Sequence, residues 1–345
     1  ARSSVSSLPG SFSPNLPDRM TDAAARPGPL SLAERVRQGE VRAIARAISL
    51  IEDDAPQAAD VVRTLFPFTG RAYLAGITGP PGAGKSTLVD RLTAAVRARQ
   101  QTVGVIAIDP TSPYTGGAIL GDRVRMQAHA ADEGVFIRSM ATRGHLGGLA
   151  RATHEAAYVL DAAGKDWVLI ETVGVGQDEV DIVRTADVSV VALVPGTGDD
   201  VQALKAGIME IADIFVVNKA DREGADRLVG SVEGMLSLEA FGPEDWRPPV
   251  IRTQATTGAG IPELLDAIDR FRAHGQTDQA SRRRVRNEFR LRELLAGQFM
   301  DYVDRRVLAE GELDDILDRI AQRTLDPYTA TSEVLARAIG RREAV

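Results

Sequence analysis

"GPPGAGKST", residues Gly79 to Thr87, follows the apolar run AYLAGIT and precedes the helical pattern LVDRLTAAVRA. It fits G-x-x-x-x-G-K-[ST] at Gly79, Gly84, Lys85 and Ser86, in the strand-to-helix setting that a phosphate-binding loop requires. Backbone N–H groups must close around phosphates there while a helix N-terminus points its positive end at them, so Gly79, Gly82 and Gly84 keep bulk away. Ala83, between Gly82 and Gly84, is a further candidate nucleotide contact. Lys85 is expected to reach the β- and γ-phosphates and the Ser86 hydroxyl to sit on Mg²⁺.

Working outward, strand-like runs alternate with helical ones: TVGVIAID, GVFIRSM, WVLIET, VSVVALV, DIFVVN and PVIRT. Near-continuous apolar strands separated by helices predict an α/β fold, a mostly parallel sheet covered by helices on both faces, with its ligand at the carboxyl ends of the strands. An N-terminal helical extension is expected at 31–66, its apolar residues recurring at helical spacing from Ser31 to about Glu52, with Ser31 as N-cap and Glu34 three residues on. The nucleotide domain then spans 67–275, and a C-terminal helical arm 276–345. The arm carries Val285, Phe289, Leu294, Leu295, Phe299, Val303 and Val307 on one side, with Pro327 breaking a later helical run. Such a stripe must be buried against the main domain or a second copy, which predicts a homodimer.

Composition narrows the function classes. The 345 residues carry a formal net charge of -7, which argues against a nucleic-acid partner and leaves Arg282 to Arg284 as a solvated helix face. No cysteine and four scattered histidines (His129, His145, His154, His274) leave no thiolate or imidazole metal cluster in view. No apolar run reaches the length of a membrane span. The Ser- and Pro-rich segment 1–30 is expected to be disordered, with residues 1–19 read as vector-derived or upstream sequence before Met20. Location is expected to be the bacterial cytoplasm, or the mitochondrial matrix if the leader is a transit peptide.

The base is specified by "VVNKAD". A carboxylate at Asp221 can accept from both N1–H and the 2-amino group of guanine, a bidentate contact that adenine cannot match, so GTP/GDP is expected over ATP. Asn218 is expected to tie the base site to the phosphate loop and the Lys219 stem to lie along the ring. In "TQATTG", the Ala255 N–H is expected to meet the guanine carbonyl. Asp109 and Glu171, each at a strand end, are candidate Mg²⁺ groups, and Gly174 a γ-phosphate contact. Loops carrying Asp122 and, later, Asp199 and Lys205 are expected to switch with the nucleotide state.

Together with the terminal "LDPY", the stretches "GPPGAGKST", "IDPTSPYTGGAILGDRVRM", "ETVGVGQDE", "VPGTGDDVQALKAGI" and "NKAD" resemble the MeaB/ArgK family of P-loop GTPases over about residues 31 to 340. That family comprises G-protein chaperones of adenosylcobalamin-dependent acyl-CoA mutases, chiefly methylmalonyl-CoA mutase. The resemblance implies phosphate binding by Gly82, Gly84, Lys85, Ser86 and Thr87, and Mg²⁺ or switch roles for Asp109, Asp122 and Glu171. It also implies guanine contacts from Asn218, Lys219 and Asp221, mutase communication around Asp199 and Lys205, and dimerisation through the C-terminal helices. Hydrolysis is expected to be slow until a partner assists, since no arginine finger is evident and Gln177 is displaced from the usual water-orienting position. A P-loop kinase of the arginine/ornithine-transport type, a nickel-insertion GTPase and a nucleotide-stabilised scaffold remain as alternatives.

Overall fold

The computed structural model describes residues 30–109, 126–129, 131–141, 148–172, 185–196, 211–275 and 279–340. Its centre is a seven-stranded sheet among the described residues, ordered β3-β2-β4-β1-β5-β6-β7. The strands are β1 Tyr73–Thr78, β2 Val103–Asp109, β3 Val135–Ala141, β4 Trp167–Glu171, β5 Val188–Leu193, β6 Ile214–Asn218 and β7 Val250–Thr253. Every neighbouring pair is parallel. All seven apolar runs read from the sequence are strands. β4, β5 and β6 are buried at every position, because helices cover both faces and no side of these strands has to be polar.

Alternate residues feed opposite layers. On one face, Ala75, Ile77, Val105, Leu169 and Val190 pack with Leu88, Leu92 and Val96 of α4 (Lys85–Ala98) and with Leu264, Ile268 and Phe271 of α7 (Ile261–His274). On the other, Ile106, Val168 and Ile170 pack with α5 (Gly148–Ala162) and with α1 (Leu32–Arg37), α2 (Val41–Glu52) and α3 (Ala58–Leu65). The N-terminal helices therefore share a core with the sheet. Val191, Leu193, Phe215 and Val217 pack against α6 (Ala225–Leu236).

Two helix boundaries differ from the sequence reading. The run from Ser31 to Glu52 is two helices, divided where Gly39 takes φ 75° past the end of α1, and Arg35 pairs with Glu40 across the corner. The start is as expected: Ser31 N–H donates to Glu34 Oε2 at 2.7 Å and Glu34 N–H donates to Ser31 Oγ at 3.3 Å. Pro327 opens α10 (Pro327–Gly340) instead of only ending a run, because the first helical position needs no N–H donor. Asp326 caps it, accepting from Tyr328 N–H and Thr329 N–H at 3.0 Å each.

The C-terminal segment comprises α8 (Gln279–Tyr302), a π-helical turn at Val303–Val307, α9 (Glu312–Ala321) and α10. Its stripe divides: Val303 and Val307 are buried with Ala338, whereas Val285, Leu295 and Phe299 are exposed on the single chain. Arg290, nearly fully buried, pins α8 to the body through Glu155 of α5 and also bonds Glu293. Burial pushes the Glu155 carboxyl up against the opposing pull of Arg290. Among the described residues no helix is long and apolar enough to cross a membrane.

Arg97 near the end of α4 donates to both Asp132 oxygens at 2.8 and 3.0 Å, and Gly134 N–H donates to Asp132 Oδ1, fixing the entry to β3. The Arg97 hydrogen bond, followed by that of Gly134, holds the Asp132 carboxyl below its usual range. A depressed folded-state pKa contributes stability that is full above the ordinary carboxylate pKa of about 3.9 and disappears as pH falls through the lower folded value. Asp132→Asn is accordingly expected to flatten the acid limb of stability between about pH 5 and pH 2. Urea melts at stepped pH measure this, and parallel limbs in variant and wild type would refute it.

Candidate nucleotide site

β1 is where chain order in the sheet reverses, β2 to β4 lying to one side and β5 to β7 to the other. A crevice at the carboxyl end of such a strand is where open α/β sheets take ligands. The loop Gly79 to Gly84 occupies that place and leads into α4, whose N-cap is Gly84. A separate cavity of about 250 Å³ near Leu74, Tyr158 and Asp161 shares no residue with this loop.

The loop has its shape because larger residues do not fit. A Cβ on Gly79 would lie 2.0 Å from the Ala192 carbonyl oxygen, and one on Gly84 would lie 2.5 Å from Asn218 Nδ2. Lys85, nearly buried at the first position of α4, donates from Nζ to Gly79 O at 2.8 Å and Pro80 O at 3.1 Å. Its ammonium thus lies inside the loop. Ala83 is fully buried, while a Cβ on Gly82 would meet nothing within 4 Å.

Ser86 and Glu171 come together although 85 residues separate them: the hydroxyl donates to Glu171 Oε1 at 2.6 Å, and both side chains are buried. In register Glu171 stands between Ala107 of β2 and Ile77 of β1, so it closes the strand beside the phosphate loop. Asp109 ends β2 on the same edge of the sheet. The Ser86 hydroxyl and the Glu171 carboxylate are hard oxygen donors at the phosphate loop, a donor type that fits Mg²⁺. Behind them Thr172 Oγ1 donates to Thr78 Oγ1 at 2.9 Å, a buried pair that the sequence reading did not single out.

The second half of the site hangs on Asn218, which ends β6 and is 2% exposed. Its Nδ2 donates to Ala83 O at 2.8 Å, while its Oδ1 accepts from Thr253 Oγ1 and Ala255 N–H at 3.1 Å each. Asn218 therefore binds the phosphate loop, β7 and the loop after β7 to one another. The Ala255 N–H, expected to face a guanine carbonyl, has the task here of holding Asn218. Lys219 adopts φ 55°, a region seldom used by side-chain-bearing residues, and lays its Nζ on Gly82 O at 2.8 Å. Asp221 follows it, exposed to solvent. Asp122, Gly174, Gln177, Asp199 and Lys205 lie outside the described residues. Among the described residues no three His, Cys, Asp or Glu side chains form a metal-binding group.

A glycine-shaped phosphate loop joined through Asn218 to an N-K-x-D loop on a parallel sheet defines a P-loop nucleotide-binding protein of the GTPase class. Comparison with known proteins agrees. The family model described as methylmalonyl-CoA mutase-associated GTPase MeaB matches residues 44–310, and the chain belongs to that family. It is 52% identical over 315 residues to a Pyrococcus abyssi protein, covering 90% of this chain and 96% of that one. It is 34% identical over 315 residues to the GTPase ArgK of Escherichia coli, covering 86% and 95% respectively. With the mitochondrial methylmalonic aciduria type A homolog of Mus musculus it shares 35% identity over 254 residues, 68% of this chain and 60% of the other. Among solved structures, that of an LAO/AO transport system kinase superposes with a TM-score of 0.67 at 28% identity, covering 88% of this chain and 95% of that one.

Asn218→Ala would leave Ala83 O and Ala255 N–H without their side-chain partner in a buried setting. A loss of about 2–4 kcal/mol in folding stability is expected, on the scale of buried polar groups left unsatisfied. Calorimetric unfolding without nucleotide measures it, and a variant as stable as wild type would show that the two loops hold together without this side chain.

Proposed function

We propose that this chain binds GTP with Mg²⁺, hydrolyses GTP slowly unaided, and uses the cycle to gate adenosylcobalamin loading, protection or reactivation of methylmalonyl-CoA mutase. The observation that carries the nucleotide half is the Asn218 linkage, which ties the segment bearing Asp221 to the phosphate loop. Support for the mutase half comes from membership of a family described by its association with that enzyme.

The roles given to the described groups follow from their positions, and those given to Asp122 and Gly174 follow from the sequence motifs. Backbone N–H groups from Gly82 to Thr87 and the start of α4 cradle the phosphates, and Lys85 turns from the loop carbonyls to the β- and γ-phosphate oxygens. Ser86 would hold Mg²⁺, and the carboxylates of Asp109, Asp122 and Glu171 would be its acidic partners. The ion supplies neutralisation of charge on the β- and γ-phosphate oxygens. Gly174 offers an amide to the γ-phosphate, and Asp221 selects guanine by accepting from N1–H and the 2-amino group. Unaided turnover is expected on the order of 10⁻⁴ s⁻¹, the scale of unassisted Ras. The segments around Asp122 and around Asp199 and Lys205 report the nucleotide state to the mutase.

The assembly is a homodimer formed by the C-terminal helices. Leu291, Leu295 and Phe299 recur every fourth residue along α8 and, like Leu313 and Leu317 of α9, stand exposed on the single chain; an exposed apolar helix face is normally covered by a partner. Light scattering should return twice the mass of one chain, and Leu295→Glu with Phe299→Glu should return one. A monomeric wild type would contradict the dimer.

Asp221→Asn tests the base. The asparagine amide cannot accept from both guanine donors, and its NH₂ instead suits the 2-oxo group of xanthine. GTP affinity should fall by at least about a hundredfold while XTP gains. Unchanged GTP affinity would remove Asp221 from the site.

A further inference from the structure

Arg91 was not prominent in the sequence, since it lies in the middle of α4 beyond the phosphate-loop motif. In the fold it reaches the loop after β7, 164 residues away. Its Nε donates to Ala255 O at 3.1 Å and an Nη donates to Thr256 O at 3.0 Å, so one guanidinium holds two successive carbonyls. Ala255 is thereby fixed at both ends, its N–H by Asn218 and its C=O by Arg91. Its methyl group is buried in the same core cluster as Leu88, Leu92 and Leu264.

These bonds close a circuit. Ala83 in the phosphate loop accepts from Asn218, Asn218 accepts from Ala255, Ala255 accepts from Arg91, and α4 returns from Arg91 to the phosphate loop. A trans peptide points its C=O and N–H in opposite directions, and there are no cis peptides among the described residues. Holding Ala255 O toward α4 therefore turns the Thr256 N–H of the same peptide away from α4. We propose that Arg91 is a positioning residue for base recognition, which orients the 255–256 backbone toward the 6-oxo group of the purine and makes base loop and phosphate loop one rigid unit. The proposal rests on the guanine-nucleotide reading above.

Arginine is suited to this by its planar fork, which places two N–H groups on two acceptors at once; a lysine ammonium on a flexible stem cannot reproduce that hold. A role confined to general stability predicts equal damage to all ligands. A role in positioning predicts damage only where the 6-oxo group is read.

The test compares wild type, Arg91→Ala and Arg91→Lys in the full chain, measuring Mg²⁺-dependent affinities for GTP, ATP, 2-aminopurine riboside triphosphate, which lacks the 6-oxo group, and inorganic tripolyphosphate. Both variants are expected to bind GTP roughly tenfold more weakly, the scale of losing hydrogen bonds from a charged donor. Their affinities for tripolyphosphate and the 2-aminopurine nucleotide are expected to stay at the wild-type level. Unchanged GTP affinity, full rescue by lysine, or an equal fall for all ligands would overturn the proposal. Wild type binding ATP as tightly as GTP would instead overturn the guanine reading itself, a result seen without either variant.

Discussion

One carboxamide organises the site. Asn218 ends β6 inside the core, donates to Ala83 O and accepts from Thr253 and Ala255, so segments separated by up to 135 residues are held at hydrogen-bond distance. A buried amide in this position has to satisfy both its oxygen and its NH₂ group, and partners placed on two loops satisfy it only when both loops are correctly placed. The requirement acts in both directions. Gly84 must lack a Cβ because that atom would lie 2.5 Å from the amide nitrogen, and Lys219 accepts an uncommon φ of 55° with its ammonium on Gly82 O.

The sheet places that amide. Parallel strands buried on both faces bring the ends of β1, β2, β4 and β6 to one edge, where Gly79, Asp109, Glu171 and Asn218 follow from strand termination alone. The long α4 then carries the phosphate loop rigidly, since its Leu88, Leu92 and Val96 are anchored in the core beneath it. The C-terminal helices are joined to this body through the buried Arg290 and Glu155, and they keep an apolar surface outward.

The strands were legible because continuous apolar runs are what a sheet covered on both sides demands, and all seven could be placed. The phosphate loop was legible because its chemistry is contiguous, nine residues from Gly79 to Thr87 carrying their own glycine requirement. What escaped depended on distance in the chain or on local alternatives. The Arg91 contact joins a helix interior to a loop 164 residues on, and no spacing rule connects them. Helical periodicity continues across Gly39, so the corner between α1 and α2 was hidden by the pattern of its neighbours. Pro327 could end one helix or begin the next, and Asp326, just before it, decides for the second by capping. The motif order places the Ala255 amide at the base, and its bond to Asn218 joins two segments that no spacing rule connects.

The proposed coupling joins a guanine-nucleotide cycle on this sheet edge to an acyl-CoA mutase. The most direct measurement is steady-state hydrolysis of GTP, with ATP in parallel, as methylmalonyl-CoA mutase from the same organism is titrated in. The account predicts slow GTP turnover alone, a saturable acceleration by the mutase, and no corresponding acceleration with ATP. GTP turnover that stays flat as the mutase saturates, or ATP turnover that rises with it equally, would contradict it.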